Sequence, residues 1–131
     1  MAILKFRAWH IKAKKYFECL GFTDDTCFIK TKTKRSYGQI LGDHLGDYLI
    51  EQFTGLHDSF GGEIYEGDLV KTYEDSERPY VVVWDEKCGC WGLSMNNTIT
   101  LILGNSERFS AIGNINQHPN IIPYYDPRTT H

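Results

Sequence analysis

The stretch YLIEQFTGLHDSFGGEIYEGDLVKTY, residues 48–73, decides the fold class of this chain. Four of residues 48–53 are apolar or aromatic, and the segment is predicted to be a strand. Residues 54–62 then supply glycine, aspartate and serine, which favour a reversal of the chain. Residues 64–73 continue as a second strand, entered through Gly67-Asp68. Glycine permits a sharp turn there and aspartate can accept backbone hydrogen bonds, so we interpret these two residues as structural rather than catalytic.

Strands are predicted on both sides of this stretch. Residues 4–9 alternate, with Leu4, Phe6 and Ala8 on one face and Lys5 and Arg7 on the other. Further apolar runs follow the stretch, at residues 80–84, 90–93, 99–103 and 109–115. Short strands at this spacing indicate a small barrel or a sandwich.

Two segments give a less direct prediction. Ala13, Tyr16, Phe17 and Leu20 have helical spacing, whereas Lys14-Lys15 would also fit a turn between two strands, and periodicity alone favours the helix. Residues 36–47 contain three glycines and two aspartates and predict a loop.

Size and composition predict one domain over residues 1–131. The chain is 41% hydrophobic and has no run of the roughly 20 apolar residues that a membrane helix needs. We expect neither a membrane span nor a signal peptide, and we expect a cytoplasmic location. The four cysteines, at 19, 27, 88 and 90, lack the spacing of a zinc ribbon and are expected to be free thiols.

Charge divides the chain. Residues 1–35 hold nine Lys/Arg against three Asp/Glu, or +6, and the remainder carries −9, for a net charge of −3. This asymmetry suggests a nucleic-acid or acidic partner for the basic end, or self-association of unlike ends, although the charges could equally interleave in the fold.

Alternation in residues 30–35 places Lys30, Lys32 and Lys34 on one face of a strand. Such a row could follow a phosphate backbone, or could keep an exposed edge strand from aggregating, and we favour the edge strand.

Four blocks of sequence carry a resemblance to a known family. They are KFRAW at 5–9, FTGLHD at 53–58 with GEIYEGDLV at 62–70, VVWD at 82–85 with Trp91, and IGNI at 112–115 with His118-Pro119. In these blocks the chain resembles the YopX family of phage and prophage proteins. The resemblance implies an all-β fold with a Src-homology-3-like small barrel, an N-terminal hairpin over residues 9–17, a phage or prophage origin and no established activity. For residues 9–17 we follow the resemblance rather than the helical periodicity.

The resemblance does not cover the whole chain. Residues 20–47 match nothing in the family pattern and form a variable insertion, and residues 123–131 are expected to be a flexible tail. In the turn after residue 58 this chain has Ser59-Phe60-Gly61-Gly62, where relatives carry a polar turn with one glycine. This departure makes Phe60 a candidate contact residue.

Candidate functional residues fall into three groups. Phe60, Tyr65, Trp84 and Trp91 could form a binding surface, although aromatics in strands are more often core. A nucleic acid could be bound by basic side chains, with Trp9 or Tyr37 stacking on its bases. The basic candidates are Lys12, Lys14, Lys15, Lys30, Lys32, Lys34 and Arg35. Carboxylates could hold Mg²⁺ or Mn²⁺ in a metal-dependent hydrolase, with His57 and Asp58 nearby; these are Glu63, Glu66 and Asp68.

No catalytic pattern is apparent in the sequence. We find no phosphate-binding loop, no dinucleotide fingerprint and no nucleophile–base arrangement, and Asp43-His44 and Asp47 are interpreted as loop residues. The leading hypothesis is a non-catalytic module without a cofactor that binds a host or phage protein. Nucleic-acid binding is the alternative, the hydrolase comes third, and self-association is compatible with the sequence.

Overall fold

The structure is a computed structural model that describes residues 4–33, 36–72, 79–104 and 108–120, with only the backbone described at residues 32, 33 and 36–39. The predicted tail, residues 123–131, lies outside these ranges. The chain divides into two compact units, unit 1 (Met1–Phe53) and unit 2 (Thr54–His131). The expectation of a single folded domain stays a prediction.

Unit 1 is built from one antiparallel sheet with the order β4-β3-β2-β1-β5. Its strands are β1 (Phe6–His10), β2 (Lys15–Phe22), β3 (Thr26–Thr33), β4 (Ser36–His44) and β5 (Tyr48–His57), with a 3-10 turn at Leu45–Asp47. One face of this sheet carries the buried cluster Ala8, Cys19, Cys27, Ile29 and Tyr48. β5 passes the boundary at Phe53, and its last residues lie in unit 2.

The sequence segment with helical spacing is a hairpin. β1 and β2 pair with Ala8 opposite Phe17, and the turn at residues 11–14 ends on Lys14 with φ 53°. The hairpin implied by the resemblance is confirmed, and the helix favoured by periodicity is wrong. The pairing of β2 with strands on both sides outweighs the local periodicity.

The predicted loop at residues 36–47 is wrong over most of its length, because β4 occupies residues 36–44. β4 pairs with β3 from Thr26 opposite His44 to Thr33 opposite Ser36. Phe28 faces Gly42, where a Cβ would lie 3.3 Å from the Phe28 ring, so the aromatic side chain covers the glycine. Cross-strand packing of this kind cannot be read from the composition of a single segment.

The edge-strand interpretation of residues 30–35 is also wrong. β3 lies between β2 and β4, so it is an inner strand, and β4 is the edge. Lys30 is exposed, whereas the Lys32 side chain, Lys34 and Arg35 lie outside the described part of the chain.

Unit 2 contains a second antiparallel sheet with the order β10-β9-β8-β7-β11. Its strands are β7 (Asp68–Thr72), β8 (Tyr80–Asp85), β9 (Cys90–Met95), β10 (Thr98–Ile102) and β11 (Phe109–Asn114); the short β6 (Glu63–Tyr65) neighbours the end of β5. The predicted strand at 64–73 is thus divided at Gly67, which has φ 85°.

The central strand β8 is buried on both faces. Val82 belongs to one cluster with Ile64, Val70 and Leu93, while Val81 and Val83 belong to a second with Leu69. This explains why the run from Val81 to Val83 is continuously apolar rather than alternating.

The all-β prediction is confirmed, because the described residues contain strands and no α-helix. The two sheets are not closed into a barrel in the described residues, so the Src-homology-3-like barrel is not confirmed.

Candidate functional site

The turn between β5 and β6 is fixed by one buried carboxylate, that of Asp58. Its Oδ1 accepts hydrogen bonds from the amides of Phe60 at 3.0 Å and Gly62 at 2.8 Å, and its Oδ2 accepts from the amide of Ala111 at 3.0 Å. Burial by itself would raise the pKa of Asp58, but these amides outweigh it and hold the pKa below its usual value. Asp58 is therefore ionised, and its carboxylate accepts hydrogen bonds from backbone amides both within the turn and on β11.

Further contacts tie the turn to β11. The Ser59 amide donates to the Phe109 carbonyl at 2.9 Å, and the Ser59 and Ser110 hydroxyls lie 3.3 Å apart. The Asp58 amide donates to the Gly62 carbonyl at 2.8 Å, and Gly61 has φ 85°, a conformation that glycine adopts without strain.

Phe60 projects from this fixed turn with 84% of its surface exposed. Its backbone amide donates a hydrogen bond to Asp58 Oδ1, while its ring is exposed to solvent. The structure thus presents an aromatic side chain from a rigid support.

The three other aromatic candidates are placed differently. Trp84 and Trp91 face each other across β8 and β9, with ring centroids 5.1 Å apart at an interplanar angle of 73°. Trp91 packs against the core cluster of Ile64 and Val82, whereas Trp84 is exposed. Tyr65 is half-buried in β6. The structure therefore joins the two tryptophans and places Phe60 in a separate turn.

The basic candidates are only partly brought together. Lys12 and Lys14 are exposed in the β1–β2 turn, and Lys15 lies over the Phe17 ring at 5.3 Å from its centroid. A groove of about 330 Å³ joins Lys15 to Lys30 and is also lined by Tyr16, Phe17 and Glu18.

The stacking residue Trp9 was predicted wrongly. It is buried and packs on Tyr16, with ring centroids 4.8 Å apart, so its faces are not open to a base. The side chain of Tyr37 lies outside the described part of the chain.

Sequence reasoning missed a polar network that includes Tyr16 of this groove. Glu51 is only 6% exposed, and its Oε1 accepts from Arg7 Nε at 2.8 Å and from the Tyr16 hydroxyl at 2.9 Å. The Arg7 guanidinium also stacks on the Tyr16 ring at 4.4 Å from its centroid. Arg7 and Glu51 are directly opposite in β1 and β5, but only the register reveals this, since 44 residues separate them.

Several acidic and histidine side chains accept hydrogen bonds from backbone amides. Asp68 is buried and its Oδ2 accepts from the Tyr65 amide at 2.8 Å, as the structural interpretation of Gly67-Asp68 predicted. His10 Nδ1 accepts from the Ala13 amide at 3.0 Å, and His44 Nδ1 accepts from the Gly46 amide at 2.9 Å. Across the described residues, no three His, Cys, Asp or Glu side chains are grouped as a metal site would require.

A tyrosine–aspartate pair lies at the end of β4 and the start of β5. The Tyr48 hydroxyl donates to Asp43 Oδ2 at 2.7 Å, and the His10 ring packs on Tyr48 at 4.8 Å between centroids. Burial first, and then the bond to Asp43, raises the pKa of Tyr48. The hydroxyl is thus protonated at neutral pH and acts as a structural donor rather than a base.

The four cysteines are free thiols, as predicted. Cys19 and Cys27 are buried, Cys88 is exposed and Cys90 is half-buried. In the part of the chain that the structure describes, no helix has the length and apolar character needed to span a bilayer.

Comparison with known proteins places the chain in a family. No curated protein matches it. Among solved structures, it is similar to protein EF1440 from Enterococcus faecalis, with a TM-score of 0.66 and 23% identity over 93% of this chain and 99% of that one. At this identity the likeness shows the fold alone. A family model described as YopX protein matches residues 5–123, and because this match covers most of the chain, the protein belongs to the YopX family.

Proposed function

We propose that this protein is a non-catalytic binding module, encoded by a phage or prophage, that acts on a host or phage protein in the bacterial cytoplasm. Phe60 is its anchor. The observation that carries the proposal is the 84% exposure of Phe60 on a turn that the Asp58 carboxylate fixes by hydrogen bonds within the turn and to β11.

A rigid exposed aromatic is suited to binding for two reasons. Large aromatic side chains can bury much apolar area in a partner's pocket, and such anchors dominate many interfaces. A turn that is already ordered loses little conformational freedom on binding, so more of the contact energy appears as affinity. Asp58, Ser59 and Gly62 provide that order here.

The test is comparative capture from a nuclease-treated bacterial lysate, using tagged wild type, Phe60→Ser and Ile102→Ser. Ile102 is an exposed apolar residue of β10 and provides a matched control. We expect a stoichiometric protein with the wild type and with Ile102→Ser that is absent with Phe60→Ser. Equal capture by all three would exclude Phe60 as the anchor, and a bait that stays clean in every host lysate would contradict the binding module.

Nucleic-acid binding is the second candidate, supported by the groove that joins Lys15 and Lys30. Lys15 over the Phe17 ring and Lys30 in the same groove could contact phosphates, and the Phe17 ring a base, although Glu18 in this groove opposes an anion. Anisotropy titration with single-stranded DNA and RNA at low salt tests it. Lys15→Glu should abolish binding while Lys71→Glu, on β7, leaves it intact, and no affinity in the wild type would end this candidate.

A further inference from the structure

The edge strands of the two sheets are protected to different degrees. In the described residues the edges are β4, β6, β10 and β11. β6 has three residues, and bulges interrupt the register of β10 between Ile99 and Leu101 and of β11 between Ala111 and Gly113. Short length and bulges both keep an edge from pairing with another chain.

β4 is less protected than the other edges. It is nine residues long, and its register with β3 is regular from His44 to Gln39, with one shift between Gln39 and Ser36. Residues 36–42 contain no charged residue and no proline. Ile40 is 67% exposed and Leu41 is 48% exposed, so apolar side chains stand on both faces of the strand. A long, uncharged edge with exposed apolar residues is a surface for pairing with another strand.

We propose that β4 pairs with β4 of a second copy of this chain, antiparallel about a twofold axis at Ile40, so that the two unit 1 sheets become continuous. A twofold axis perpendicular to a sheet brings an edge strand antiparallel against itself, and the residue on the axis faces its own copy. Ile40 is the midpoint of Ser36–His44, so an axis there aligns the two strands along their length, and Gln39, Ile40 and Leu41 lie in the regular part of the strand.

A second copy of β4 is compatible with this edge because residues 36–42 are uncharged and because apolar side chains would meet across the pair. Because residues 36–42 are uncharged, the two strands do not repel each other over this length. The side chain of Ile40, the more exposed of the two apolar residues, would lie against the same side chain of the second copy. Leu41 would lie on the opposite face, at the register position facing Gln39 of the second copy.

The first test is the molar mass by size-exclusion chromatography with light scattering. We expect the wild type at twice the 15.1 kDa of one chain. Ile40→Lys places two like charges on the axis and should raise the dissociation constant by about 100-fold or more, giving a monomer. Ile102→Lys changes a residue of similar exposure on the bulged edge β10 and should leave the dimer intact. Circular dichroism checks that both variants keep their strands.

The second test is disulfide trapping, in a background where Cys88 and Cys90 are serine. Ile40→Cys should form a covalent dimer on mild oxidation, because paired Cα atoms about 4.5–5.5 Å apart suit a disulfide. Leu41→Cys is the control, because its two copies would lie about 8 Å apart and outside that range. A monomeric wild type, a dimer that survives Ile40→Lys, or faster crosslinking at 41 than at 40 would each overturn the proposal.

Discussion

Replacing Asp58 with alanine should destabilise the fold by about 3 to 5 kcal/mol. The amides of Phe60 and Gly62 lie in an exposed turn and can bind water instead, so each lost bond costs a net of about 1 kcal/mol. The Ala111 amide is in the middle of β11 and half-buried, so leaving it without its acceptor costs about 1 to 3 kcal/mol. The sum is a large part of the roughly 5 to 15 kcal/mol that stabilises a domain.

Urea unfolding followed by circular dichroism measures this loss as the change in the free energy of unfolding. Asp85→Ala is the matched control, because the backbone amides that Asp85 Oδ1 accepts from, those of Lys87 at 3.0 Å and Cys88 at 3.3 Å, both lie in an exposed turn. We expect a loss of about 1 kcal/mol for the control. If Asp58→Ala lost no more than Asp85→Ala, the carboxylate would not be what fixes the turn.

The pH dependence of the free energy of unfolding, compared between wild type and Asp58→Ala, gives an independent check. The pKa of Asp58 is lower in the folded state than its usual value, so its stabilisation is fully present above the unfolded pKa, near about 4. It is lost as the pH falls through the folded pKa. The difference between wild type and Asp58→Ala should therefore be constant at neutral pH and narrow below about pH 4. A difference that widened in acid would refute the assignment of the ionised carboxylate.

Two further predictions concern other polar contacts. Arg7→Leu should lower the free energy of unfolding by about 3 kcal/mol, because it removes the cation from the buried Glu51 carboxylate. The control, Lys12→Leu at an exposed turn position, should change the free energy of unfolding by less than about 0.5 kcal/mol. An equal effect of the two substitutions would contradict the network. Cys88 should react slowly with a thiol reagent at neutral pH, because its hydrogen bond to Asp85 and the charge of that carboxylate raise its pKa. Asp85→Asn should accelerate the reaction, with the rate measured by mass spectrometry. An unchanged rate would show that Asp85 does not act on this thiol.

Much of the fold could be predicted because a strand leaves a local signature. Residues 4–9, 48–53 and 80–84 are recognisable from alternation or from β-branched runs, which depend on adjacent residues alone. β4 leaves no such signature, because its two glycines and its aspartate are typical of a loop. It becomes a strand through its pairing with β3 and through the Phe28 ring over Gly42.

The candidate site was predictable only in its exposed part. Phe60 stands out in the sequence because an aromatic residue interrupts a turn of small and polar residues. The support of Phe60 does not stand out, because the bond from Ala111 to Asp58 joins positions 53 residues apart. The misassignment of Trp9 has the same cause, since its burial against Tyr16 follows from the hairpin register.

The Phe28 ring over Gly42 limits how these two positions can change during evolution. A Cβ at position 42 would lie 3.3 Å from Phe28 Cε1 and 3.6 Å from Thr26 Cγ2, so a larger residue there requires the aromatic ring to move or to be lost. Replacing Phe28 by a small residue would in turn expose the backbone at Gly42. Among relatives that keep this hairpin, positions 28 and 42 are therefore expected to vary together, with glycine at one where an aromatic stands at the other.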